Sequence, residues 1–194
     1  MITKYAIDFE WRGFELHPEI PEGGLDIDRI FPKGKVDAMN ARLAEVARGL
    51  GVHFDPRPHA PSTKPALAIS EFARRQGKLD AWRELAMDAH WAHGLDLEDR
   101  TVLATLAQRA GLDSGAAVAF LDDPAVPELL HQRRVEAQRW GVTGIPTWSL
   151  LPSGWNPGDP VPSQGPRPVR VVGCQPWEHV EQAAHLAGAR SRED

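Results

Sequence analysis

The residues whose types could most readily take part in chemistry are a lone cysteine and a proline that follows a glycine-rich turn. Cys174 is the one cysteine among the 194 residues, which excludes an intrachain disulfide, a Cys-x-x-Cys pair and a zinc site with two thiolates within this sequence. It lies two residues before Pro176, which suits the first turn of a helix, and a helix N-terminus stabilises a thiolate. Cys174 is therefore the candidate catalytic residue. A small, buried and inert thiol is the commoner fate of a free cysteine, and it is the interpretation that we prefer on sequence alone.

Pro146 follows a Gly-x-x-Gly turn and precedes an apolar segment that predicts a strand. On sequence alone, a trans proline at the start of an edge strand is the simpler interpretation. A cis bond would instead turn the backbone of Ile145 outward, so that its N–H and C=O could pair with an extended peptide or with glutathione. The candidate substrate-binding residues are Ile145, Pro146, Thr147 and Trp148.

The other chemical groups favour structural roles. His90 and His93 are spaced three apart, and His59 could join them, but no second spaced pair completes a ligand set, so we predict no metal site. Asp8 and Glu10 alternate with apolar residues, which predicts two solvated carboxylates on one face of a strand. The sequence has no GxSxG, P-loop or GxGxxG segment.

Composition narrows the class of protein. The sequence has 42% hydrophobic and 25% charged residues, with 22 Lys and Arg against 27 Asp and Glu. These proportions are typical of a globular chain, and the net charge of −5 argues against a nucleic-acid or anionic-membrane partner. The apolar runs are too short to span a bilayer, and we see no secretory signal at the start of the sequence.

The elements that would position these groups are a few strands around a helical block. Alternation of apolar and polar residues predicts a strand over Lys4–Trp11. Apolar or β-branched segments beside turn-rich ones predict strands over Trp148–Leu151 and Pro168–Gly173, which we expect to pair antiparallel across a proline-rich loop. Apolar residues at steps of three and four, with capping residues and terminal glycines, predict about five helices between Gly34 and Trp140, and Trp177 begins a last helix. The fold class is therefore α/β, with a sheet domain over 1–33 and 141–194 and a helical insertion over 34–140.

Four segments carry a family resemblance: FEWRGFELHPEIPEGG (9–24), PSTKPALAISEFARRQGKLDAWRELAMDAHWAHGLDLED (61–99), GVTGIPTW (141–148) and VVGCQPWE (171–178). They resemble the DsbA-like thioredoxin domain, and within it the FrnE-type branch of cytoplasmic bacterial members. Relatives include 2-hydroxychromene-2-carboxylate isomerases and kappa-class glutathione transferases. The resemblance implies a thioredoxin-like fold with a large helical insertion, in which Pro146 is the cis-proline and Cys174 borders the substrate groove.

The sequence departs from the family at its start. Family members place a strand and a Cys-x-x-Cys helix before the strand that corresponds to Lys4–Trp11, and we expect both to be absent here. Three explanations stay open: a truncated record, a shifted or donated strand in the vacant position, or a true variant that has lost the chemistry.

The resemblance implies thiol–disulfide exchange on a protein disulfide or a glutathione-type thiol, in the cytoplasm. We expect little two-cysteine activity because one thiol cannot complete that cycle. No resident cofactor is expected, although glutathione could be a co-substrate. The alternatives are a glutathione-dependent transferase or isomerase, and a non-enzymatic binding module or homodimer.

Overall fold

A computed structural model describes residues 4–56 and 58–192 of the chain, with every side chain among them except that of Lys33. It divides into two compact units. The helical unit contains the described residues of 17–131, and the sheet unit contains those of 1–16 and 132–194. Seven α-helices and two small antiparallel sheets lie within the described residues, so the predicted α/β class is confirmed.

The helical unit contains most of the helices, in the order in which their periodicity predicts them. β1 (Leu25–Asp26) and β2 (His59–Ala60) form a two-residue antiparallel pair, and neither lies in a segment for which the sequence predicted a strand. The helices are α1 (Lys33–Gly49), α2 (Lys64–Arg75), α3 (Leu79–Trp91), α4 (Arg100–Arg109), α5 (Ser114–Ala119) and α6 (Val126–Arg139), with 3-10 turns at Ile27–Arg29 and Phe120–Asp122. The last part of α6 belongs to the sheet unit.

The core of the helical unit lies among α2, α3, α4 and α5. Ile69, Trp82 and Leu103 are its largest fully buried side chains. The indole N–H of Trp82 donates to Ser70 Oγ at 3.0 Å, and that hydroxyl donates to the Ala66 carbonyl at 2.9 Å. The polar edge of a buried tryptophan is therefore satisfied inside the core.

Side-chain caps mark the starts of two helices. Asp99 accepts hydrogen bonds from the N–H groups of Thr101 and Val102 at the start of α4, and Asp113 accepts one from Ala116 at the start of α5. Each carboxylate satisfies backbone donors that a first helical turn leaves free. Thr63 occupies the N-cap position of α2 without a side-chain capping bond. A side-chain capping bond is thus present at the starts of α4 and α5 and absent at the start of α2.

The apolar face predicted for α1 is largely uncovered. Val36 is buried, whereas Met39, Leu43, Val46 and Leu50 are exposed. The periodicity identified the helix correctly, but an apolar stripe does not reveal how much of it a neighbour covers.

The sheet unit is organised by the hairpin of β3 (Thr147–Leu150) and β4 (Val169–Val172), followed by α7 (Trp177–Leu186). The strands pair antiparallel, with Thr147 opposite Val172 and Leu150 opposite Val169. This confirms the pairing predicted from the two β-rich segments. The proline-rich segment between them forms turns, since proline cannot continue a ladder.

The prediction of a strand over Lys4–Trp11 is wrong. Within the described residues this segment forms a single bridge, between Tyr5 and Ser191. It is held instead by Tyr5, which is 2% exposed and whose hydroxyl donates to Glu181 Oε1 at 2.7 Å. That hydrogen bond raises the pKa of Tyr5. Alternation gives a segment two faces, but a strand also needs a neighbouring strand in register, and within the described part of the chain residues 7–11 belong to no strand.

No helix among the described residues has both the length and the apolar character needed to cross a membrane.

Candidate functional site

The turn that leads into β3 is fixed by a glycine and an arginine. Gly141 has φ +68°, and a Cβ built there would lie 2.5–2.8 Å from the Arg170 guanidinium. That guanidinium donates to the Trp140 carbonyl at 2.5 Å. Glycine adopts this left-handed backbone without steric cost. The turn at Gly141 and the Arg170 hydrogen bond together position the chain between the end of α6 and Ile145.

Ile145 and Pro146 form the start of the hairpin and are both exposed. Their peptide bond is cis, and the Ile145 side chain is 51% exposed. The Pro146 carbonyl accepts a hydrogen bond from the Gly173 N–H at 2.8 Å, and Thr147 Oγ1 donates to the Gly144 carbonyl at 2.5 Å. Within the described chain no hydrogen bond reaches the backbone N–H or C=O of Ile145. These two groups are thus available to a ligand.

Cys174 follows directly after Gly173, whose N–H donates to the Pro146 carbonyl. Gly173, with φ +83°, ends the strand, and Cys174 lies in the short connection to α7. The Gln175 side chain closes this turn by donating from Nε2 to the Val172 carbonyl at 3.0 Å. Cys174 is exposed, so the interpretation of a buried thiol is wrong, and its reactivity stays a prediction.

Thr147 and Trp148 project from opposite faces of β3, because successive side chains of a strand alternate. Trp148 joins Phe9 and Trp11 in an aromatic cluster, with ring centroids 6.0 Å and 6.3 Å from its own. The Phe9 and Trp11 rings meet edge to face at 4.9 Å. The structure therefore gathers Ile145, Pro146 and Cys174 at one end of the hairpin and places Trp148 in this cluster.

Sequence reasoning missed Gly173, whose N–H connects the Cys174 turn to Pro146. A glycine immediately after a β-branched run was the signal that could have identified it. It also missed Phe9 and Trp11 as partners of Trp148, because contacts between distant segments leave no local pattern.

The three histidines have different surroundings in the helical unit. His93 Nε2 lies 3.4 Å from the Asp88 carboxylate, and His59 Nδ1 lies 3.8 Å from Asp26. His90 lines a cavity of about 80 Å³ with Met39, Leu43 and Trp91 among its neighbours. Burial lowers the pKa of His90, opposed by a hydrogen bond with the Leu95 backbone and by the charge of Asp96.

Among residues 4–56 and 58–192 no group of three or more His, Cys, Asp or Glu side chains could hold a metal ion. The geometry around Pro146 offers unpaired backbone groups and one thiol, a combination suited to holding an extended thiol-bearing molecule.

Comparisons with known proteins agree with this fold. Residues 1–183 match the family described as DSBA-like thioredoxin domain. A 2-hydroxychromene-2-carboxylate isomerase from Sphingobium xenophagum is 27% identical over 137 residues, which cover 66% of this chain and 68% of the relative. A crystal structure of a probable DsbA oxidoreductase from Streptomyces coelicolor is similar with a TM-score of 0.71 and 24% identity, over 91% of this chain and 73% of that one. This fold match confirms the thioredoxin-like architecture, and the chain belongs to the DsbA-like thioredoxin domain family.

Proposed function

We propose that this chain docks a peptide or glutathione-type thiol or disulfide at the end of the hairpin formed by Ile145, Pro146 and Cys174. The observation that carries the proposal is the pair of unpartnered backbone groups on exposed Ile145, next to a turn that holds an exposed thiol. An extended ligand could pair with those groups as a strand does. Its sulfur would then approach Cys174.

The chemistry open to one thiol is a single exchange. The Cys174 thiolate attacks one sulfur of glutathione disulfide, a protein–glutathione disulfide forms, and glutathione leaves as a thiolate. A complete two-cysteine cycle needs a second thiol, which these 194 residues lack. We therefore expect turnover in an insulin-reduction assay far below that of a Cys-x-x-Cys thioredoxin. Turnover comparable to that of such a protein would contradict this.

The docking step can be separated from thiol reactivity. Glutathione disulfide carries peptide groups, whereas 2-hydroxyethyl disulfide has the same S–S bond without them. We expect Cys174 to favour glutathione disulfide over the small disulfide more strongly than a free cysteine peptide does, as measured from adduct formation by intact-protein mass. Cys174→Ser should form no adduct. A preference equal to that of the free peptide would remove the docking step from the proposal.

A second candidate is a glutathione-dependent transferase or isomerase, and the isomerase relative is the observation that favours it. Calorimetric titration with reduced glutathione would distinguish the candidates, because this function requires the reduced thiol to bind without forming a disulfide. Absence of heat at millimolar glutathione would count against it.

A third candidate is a non-enzymatic binding module or a homodimer. Light scattering that shows a strict monomer would remove the homodimer. For the thiol function we propose the cytoplasm, the compartment of the family branch that the sequence resembles.

A further inference from the structure

The helical unit contains a cavity that is lined by elements of that unit alone. Residues of α1, β2 and the end of α3 line it, together with Ile27 of the first 3-10 turn. All of these elements lie within residues 17–131. The cavity is therefore a feature of the helical unit, separate from the candidate site on the hairpin.

The walls of this cavity are mainly apolar and partly aromatic. Met39 and Leu43 come from α1, and Trp91 comes from the end of α3. Trp91 stacks on Phe54 with ring centroids 5.7 Å apart, and its carbonyl accepts from the Asp55 N–H at 2.8 Å. The three lining side chains are 37–43% exposed. The lining thus reaches the surface, and a small apolar molecule can enter without unfolding of the unit.

One residue of the lining has a polar atom without a partner. His90 Nδ1 is buried, and no group in the part of the chain that the structure describes forms a hydrogen bond with it. Burial lowers the pKa of His90, so the ring is neutral at pH 7 and has one donor and one acceptor nitrogen. A buried nitrogen without a partner is unfavourable. A hydroxyl both donates and accepts, so it can satisfy Nδ1 in either tautomer.

The volume and charge of the lining limit the class of ligand. The cavity holds about 80 Å³, whereas an engineered apolar cavity of about 150 Å³ binds benzene. A single ring whose far edge stays at the open side is therefore the largest group that fits. Asp55 also belongs to the lining, and its carboxylate favours a neutral ligand over an anion.

We propose that this cavity binds a small neutral phenol, whose hydroxyl forms a hydrogen bond with His90 Nδ1 and whose ring contacts Met39 and Trp91. Contact of the ring with the walls provides affinity because apolar surface leaves water. The hydroxyl provides selectivity because it supplies the partner that Nδ1 lacks within the described chain. Binding uses no thiol, so the inference stands independently of the proposed function.

The test is a titration of the full chain with phenol, followed by the NMR signals of isotope-labelled methionine methyl groups. Met39 lines the cavity, whereas Met87 of α3 lies outside the lining. The ring current of a bound phenol should therefore shift the Met39 signal saturably and leave the Met87 signal unchanged. Absence of a saturable Met39 shift at millimolar phenol would overturn the proposal.

Two variants of α1 test the location. Leu43→Trp should fill the cavity and abolish the shift of Met39. Val46→Trp is the matched control, because Val46 is on the same helix and equally exposed but does not line the cavity; this variant should bind phenol like the parent chain. Phenol binding that is retained in Leu43→Trp would overturn the location.

The ligand chemistry is tested separately with toluene, which lacks the hydroxyl, and benzoate, which is an anion. His90→Phe should weaken phenol about fivefold, the effect of one hydrogen bond, and leave toluene unchanged. In the parent chain the nitrogen resonance of His90 Nδ1 should move with phenol and not with toluene. This measurement decides the question even where circular dichroism shows that His90→Phe has lost its fold. Equal losses for phenol and toluene, equal movement of the nitrogen resonance, or tighter binding of benzoate than of phenol would overturn the proposed ligand class.

Discussion

Replacing Gly141 with alanine tests how the turn before the candidate site is held. Two costs are expected, and the structure separates them. A left-handed backbone costs an L-residue about 1–2 kcal/mol. The new Cβ also occupies the position of the Arg170 guanidinium, so the arginine must move and lose its bond to the Trp140 carbonyl. Because Arg170 is exposed, that loss is about 0.5–1.5 kcal/mol, and the total is about 1.5–3.5 kcal/mol.

Gly154→Ala supplies the matched control. Gly154 lies in the same unit with φ +76°, but a Cβ there would meet nothing within 4 Å. Gly154→Ala should therefore lose only the backbone contribution, about 1–2 kcal/mol. Combining Gly141→Ala with Arg170→Ala should reduce the cost of the glycine change to that of the control, because the clash has been removed.

The assay is urea unfolding followed by circular dichroism, with the slope against urea checked for constancy. Equal destabilisation by Gly141→Ala and Gly154→Ala would refute the role of Arg170. So would a glycine cost that stays the same in the Arg170→Ala background.

Three further predictions address the helical unit. Because Ile69 is fully buried, Ile69→Val should lower the free energy of unfolding in urea by about 0.5–1.5 kcal/mol and Ile69→Ala by about 2–5 kcal/mol. A loss below about 0.5 kcal/mol in the alanine variant would contradict this packing. Asp99→Ala should lower the free energy of unfolding in urea by about 1 kcal/mol, and Thr63→Ala should lower it much less, because of these two residues only Asp99 makes a side-chain capping bond. Equal losses in the two variants would show that the capping bond does not stabilise the helix. A hydrogen bond from Arg100 lowers the pKa of Asp122, so this carboxylate stabilises the fold above its ordinary pKa and loses that contribution as pH falls through the lowered value. Thermal unfolding of Asp122→Asn and the parent chain should therefore differ at neutral pH and converge in acid, and a constant difference would disprove the linkage.

Local patterns predicted much of the secondary structure. The two strands of the hairpin are β-branched or aromatic runs on either side of a proline-rich loop, and each helix of the central block has an apolar period and a glycine or capping residue near an end. These signals depend on neighbours within a few residues, so the sequence contains them in full. The α/β class and the thioredoxin-like fold followed from their order and from the family resemblance.

The candidate site was predicted less completely. The sequence identified Ile145, Pro146 and Cys174, but it favoured a buried thiol and placed Trp148 with them. Cys174 lies beyond the end of β4, where Gly173 has φ +83°, and its exposure depends on which other segments cover that turn, a property that no local pattern encodes. Trp148 joins Phe9 and Trp11 across more than a hundred residues of sequence, a separation that local periodicity does not encode.

The sequence by itself determined the order of the helices, the antiparallel hairpin and the presence of a single thiol beside it. Tertiary structure alone decided that Lys4–Trp11 forms no strand and that the Gly173 N–H bonds to the Pro146 carbonyl. The physical reason is the same in both cases. A residue's propensity and the face that its side chain occupies are local properties, whereas a ladder hydrogen bond needs a second segment in a definite register.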